Sequence, residues 1–76
     1  MEAKMKTFIR AIREDAGLTR AKLAERSGVP IATIANWEQG RKAPNDLCRL
    51  KQVAKVLHVP IDTLIDWDSV GLEYDE

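Results

Sequence analysis

A chain of 76 residues makes one small domain, and at that length it removes only about 60% of its unfolded surface from water, which argues against a cleft between two lobes. Apolar residues make up 45%, with four glycines and three prolines, as in a folded globule; scarce aromatic and β-branched runs point to an all-helical module. Net charge is zero, but the twelve bases all lie between Lys4 and Lys55 while Asp66, Asp68, Glu73, Asp75 and Glu76 crowd the end, so residues 1–65 carry +5 and the tail −5. A basic body of this kind admits a nucleic-acid partner that the overall charge conceals.

In chain order, Met5, Phe8, Ile9, Ile12 and Ala16 recur at the spacing of one helical face, and Gly17 supplies a left-handed exit. Thr19 caps a second helix whose buried edge is Leu23 and Ala24, and which ends at Ser27 and Gly28. Pro30 opens a third helix with Ile34 and Trp37 inward, and Gly40 closes it. A basic loop over residues 41–46 follows, and Asn45 or Asp46 caps a fourth helix with the core stripe Leu47, Leu50, Val53, Ala54 and Leu57. His58 takes that helix's exit position, being among the side chains that tolerate positive φ. Pro60 opens a short fifth helix with Leu64 and Ile65 inward; Val59-Pro60-Ile61 echoes Val29-Pro30-Ile31 as the same helix-start chemistry used twice.

The spacing of Ala24, Gly28, Ile34 and Trp37 is that of two short helices crossing steeply. Ala24 permits close approach, Gly28 favours the turn, and Ile34 and Trp37 anchor the second helix of the pair. The runs IRAIREDAGLTRAKLAERSGV, TIANWEQGRKAP and LKQVAKVLHVPIDTLI resemble the Cro and phage-repressor type of helix-turn-helix protein, the XRE family, over residues 8–65. The resemblance implies a five-helix, lambda-repressor-like bundle and a transcriptional regulator, usually a repressor, bound to double-stranded DNA as a homodimer.

Position by position, the resemblance assigns base contacts to Ile31, Ala32, Ala35 and Asn36, with a recognition helix over about residues 31–39 in the major groove. It assigns phosphate contacts to Arg20, Thr33, Gln39, Arg41 and Lys42, and an ion pair to Arg13 and Glu38. Two departures stand out: Pro30, Ile31 and Ala32 replace a more polar helix start, and the stretch between Pro44 and Leu47 is one residue longer than usual. Independently of the family, Arg20 and Lys22 place two cations in the first turn of the second helix, where the helix dipole disfavours them and a docked phosphate would favour them. Asn36 can bond bidentately to adenine, and apolar neighbours can meet thymine methyls, so an A/T-leaning half-site is expected, part of it read through DNA shape.

The domain division expected is 1–66 for the DNA-binding domain and 67–76 for an acidic tail. In that tail Val70, Leu72 and Tyr74 alternate as in a half-buried strand that would pair across a two-fold axis; the alternative is a disordered tail that tempers non-specific DNA binding. Ile61, Leu64 and Ile65 would complete the dimer contact. The competing functional class is a protein-interaction module, such as an antitoxin or anti-repressor, that uses the apolar face of the third helix against a protein partner. No reaction, metal or cofactor is expected: Cys48 and His58 lack companion ligands and no phosphate loop or nucleophile motif occurs. The apolar run over residues 29–35 is too short to span a membrane, and with no secretory segment a cytoplasmic location is expected.

Overall fold

The computed structural model describes residues 6–69. Four helices form where apolar periodicity is bracketed by local start and stop chemistry: α1 (Ile9–Asp15), α2 (Arg20–Ser27), α3 (Ile31–Glu38) and α4 (Leu47–Leu57). The side chains of Thr19 and Asp46 accept the amides of Lys22 and Arg49, giving α2 and α4 an acceptor for one otherwise orphaned donor each. At the end of α1 the Leu18 amide donates to the Arg13 carbonyl and that of Gly17 to the Glu14 carbonyl, the paired bonds of a Schellman exit. His58 makes the same kind of exit from α4 at φ 58°, the non-glycine residue with positive φ among the described residues.

One core joins these elements. Ile9, Leu23, Val29, Ile34, Trp37, Leu50, Val53, Ala54, Leu57, Leu64 and Ile65 are buried together, with α2 packed against both α3 and α4. Each fully buried aliphatic side chain contributes about 1.5–3 kcal/mol. This core holds the two short helices α2 and α3, which at eight residues each are below the length at which an isolated helix is stable.

Three expectations are corrected. Among the described residues there are four α-helices, not five: Pro60 is followed by a single 3₁₀ turn, Ile61–Leu64, and the chain then extends as β2 (Ile65–Asp66). β2 pairs antiparallel with β1 (Lys6–Thr7), in register Lys6 with Asp66 and Thr7 with Ile65, and the Phe8 amide donates to the Leu64 carbonyl at 2.8 Å. That pairing engages the backbone that would have continued a fifth helix. It also shortens the first one: residues 6 and 7 are extended, α1 starts at Ile9, Phe8 is half-exposed, and Ala16 lies exposed beyond the last turn. The buried face of α1 is Ile9 and Arg13 with Ile12 partly covered; Met5 lies outside the described residues. Third, Leu47 is 70% exposed, so the core face of α4 begins one turn later, at Leu50.

Candidate nucleic-acid interface

The interface is built on the turn between α2 and α3. Gly28 leaves α2 at φ 74°, and its amide still donates to the Ala24 carbonyl. A side chain in that conformation would crowd its own carbonyl. The Ser27 hydroxyl accepts the Val29 amide at 3.2 Å and tightens the bend; Val29 is then buried and Pro30, at φ −55°, leads into α3. Ile34 and Trp37 anchor α3 inward at 0% and 3% exposure. The opposite side of α3 therefore faces outward, with Ile31 and Ala32 exposed and Thr33, Ala35 and Asn36 half-exposed.

A second left-handed glycine shapes the far end. Gly40, at φ 72°, turns the chain so that the Arg41 amide bonds the Asn36 carbonyl at 3.0 Å. The loop is thereby folded back along α3, and Thr33, Asn36, Arg41 and Lys42 line one groove of about 480 Å³ with Ala43, Asn45, Asp46 and Arg49. Arg49 lies 3.4 Å from Asp46, an exposed pair of the weak surface kind. Gln39 is exposed at the end of α3, outside that groove's lining. The groove thus gathers an amide able to read a base edge and cations able to hold a phosphate.

The base of α3 is tied down by an ionic cluster. Glu38 has a side chain only 1% exposed, and its Oε2 accepts Arg13 Nε at 2.8 Å. Its Oε1 accepts Arg13 Nη2 at 3.1 Å together with Arg20 Nε at 3.3 Å and Arg20 Nη2 at 3.1 Å. Arg13 also donates from Nη1 to the Leu18 carbonyl at 2.9 Å. The hydrogen bond to Glu38 outweighs the desolvation of Arg13 and raises its pKa. No buried side-chain polar atom among the described residues is left without a partner.

The helix-turn-helix family model matches residues 9–64, the span from the start of α1 to the end of the 3₁₀ turn. This chain belongs to the helix-turn-helix family, of the Cro and phage-repressor type. An uncharacterized HTH-type transcriptional regulator of Methanothermobacter thermautotrophicus is 39% identical over 68 residues, covering 86% of this chain and 97% of the relative. The crystal structure of a candidate DNA-binding protein from Bacteroides fragilis superimposes with a TM-score of 0.71 at 31% identity, covering 82% of this chain and 98% of that one. A transcriptional regulator from Listeria innocua shares the fold, with a TM-score of 0.58 at 23% identity, over all of this chain and 65% of its own.

Within this helix-turn-helix protein the candidate residues fall into separate places. Ile31, Ala32, Ala35 and Asn36 share the outward side of α3, whereas Arg20 and Lys22 stand at the start of α2. Arg20 is paired with Glu38, and Lys22 lies 3.6 Å from exposed Glu25. Leu64 and Ile65 are buried in the core of the chain itself, so they would offer little surface to a second copy; Ile61 is partly buried. Val70, Leu72 and Tyr74 lie outside the described residues.

Sequence reasoning missed the Arg20–Glu38 bond, the Ser27 bond to the turn, and Thr7, whose hydroxyl donates to the Trp37 carbonyl at 3.3 Å. Ser27 was findable, since a serine before a turn glycine often closes it locally; the other two join residues 18 and 30 positions apart. Among the described residues no group of three or more His, Cys, Asp or Glu is placed to hold a metal, and no helix is long and apolar enough to cross a membrane.

Proposed function

We propose that the chain is a sequence-specific transcriptional regulator that binds double-stranded DNA as a homodimer, α3 lying in the major groove, and that it acts as a repressor. The observation that carries this reading is the groove beside α3, where Thr33, Asn36, Arg41 and Lys42 converge on the outward side of a helix whose inner side is locked in the core. Asn36 reads a base edge, Ile31, Ala32 and Ala35 meet thymine methyls, and Lys22, Thr33, Gln39, Arg41 and Lys42 hold phosphates. The half-exposed Phe8 and the 59% exposed Trp67, flanking the β1–β2 ribbon, together with Ile61, are the surface offered to the second protomer.

Selection of bound sites from a random DNA pool, followed by affinity measured against salt, tests the reading. The expected result is an A/T-leaning inverted repeat and a log–log salt slope of about −0.9 per phosphate neutralised. Absence of any enriched site together with a flat salt response would overturn it in favour of protein docking on the apolar side of α3, where Ile31 is 49% exposed.

A further inference from the structure

We propose that Arg20 is a positioning residue for the recognition helix, setting the angle of α3 through Glu38, and not a phosphate ligand. The inference rests on the reading of α3 as the DNA-facing helix. α2 and α3 form a V whose closed corner is the Gly28 turn. Arg20 is the first residue of α2 and Glu38 the last of α3, so the two stand at the open ends of that V. The two hydrogen bonds between them, at 3.1 and 3.3 Å, close it.

Charge balance does not require this second arginine. Arg13 alone neutralises Glu38 and reaches both of its oxygens. Arg20 adds a surplus positive charge beside another guanidinium and at the positive end of α2, both unfavourable. What it supplies is geometric: the planar Nε–Nη2 fork of one guanidinium edge closes on the single oxygen Oε1, which Arg13 also reaches, and so fixes direction as well as distance. The rest of the cluster reinforces the same point, because Arg13 brings in α1 and the Leu18 carbonyl, while Thr7 bonds the Trp37 carbonyl one residue before Glu38. The last turn of α3 is thus held by three elements, and rotation about Gly28, which would swing Asn36, is blocked at the far end. The Arg20 side chain is 33% exposed against 54% for Lys22, as suits a group facing inward to a carboxylate.

The test compares Arg20→Gln and Arg20→Lys in the full chain, using amide hydrogen exchange of the free protein and salt-dependent DNA affinity. Both variants are expected to speed exchange in α3 while the amides of α4 keep their protection, which shows that the fold persists. On the preferred site both should lose affinity about tenfold with the salt slope of the unaltered protein, and lysine should not rescue because it lacks the fork. A slope smaller by about 0.9 in Arg20→Gln, restored by Arg20→Lys, would make Arg20 a phosphate ligand and overturn the proposal. Unchanged exchange in α3 would overturn it as well. Should the unaltered chain bind no DNA, the proposed function fails, while the exchange measurement still decides whether Arg20 positions α3.

Discussion

Asn36 and Arg41 line the same groove and are joined through a backbone hydrogen bond, yet their loss should read out differently. If Asn36 reads a base edge as proposed, Asn36→Ala should lower affinity for the preferred site by about 1–3 kcal/mol with the salt slope intact. Arg41→Ala should weaken all DNA sequences alike and reduce the slope by about 0.9. Titration of each variant at several salt concentrations checks both. Glu38 differs again, because its side chain is almost wholly covered and serves two arginines. Glu38→Ala would leave Arg13 buried without the carboxylate that bonds its Nε and Nη2 and should destabilise the fold by about 3–5 kcal/mol in denaturant unfolding. The Arg13–Glu38 contact was implied by resemblance; the sharing of Glu38 with Arg20 was not, since helix-dipole reasoning at the start of α2 pointed its charge outward to a phosphate.

Helix limits set by neighbouring residues were legible. Thr19, Asp46, Gly17, Gly28, Gly40 and His58 each mark an end that the structure possesses. Thr19→Ala should cost about 1 kcal/mol, and Gly28→Ala about 1–2 kcal/mol, the latter from backbone strain alone since nothing lies within 4 Å of the added methyl. Chemical unfolding measures both, and a cost near zero at Gly28 would mean the turn had changed its φ. On the outer side of α1, Arg10 bonds Glu14 and holds its carboxyl below the ordinary range. A lowered carboxyl pKa contributes stability above the unfolded pKa and loses it as pH falls through the folded value, so an NMR titration of Glu14 should show a low midpoint that added salt moves upward. The echo between Val29-Pro30-Ile31 and Val59-Pro60-Ile61 shows where local signals stop: the same start leads to eight helical residues in one case and a four-residue 3₁₀ turn in the other.

At the scale of the molecule, β1 and β2 join the two ends of the described chain and connect them, through Thr7, to α3. Deleting residues 1–7 should therefore lower stability by about 1–3 kcal/mol, by uncovering Ile65 and removing ribbon hydrogen bonds, while the chain remains helical by circular dichroism. Truncation after Asp66 addresses assembly: if the segment 67–76 carries the two-fold contact, the mass in solution should fall from dimer to monomer, and an unchanged dimer would exclude that role.

Composition, apolar period and capping residues were enough to determine a mostly helical domain, because each of those signals acts within about four residues of chain. The helix-turn-helix was legible from the spacing of Ala24, Gly28, Ile34 and Trp37 and from the family resemblance. The tertiary structure alone decided that Ile65 extends instead of completing a helix, that Phe8 precedes α1 instead of joining it, and that Arg20 turns toward Glu38. Each of those outcomes depends on a partner brought near by folding: β1 for β2, the Leu64 carbonyl for the Phe8 amide, and a carboxylate on another helix for the arginine. Contacts of that range compete with local preference only after the core has closed, so no stretch of neighbouring residues announces them.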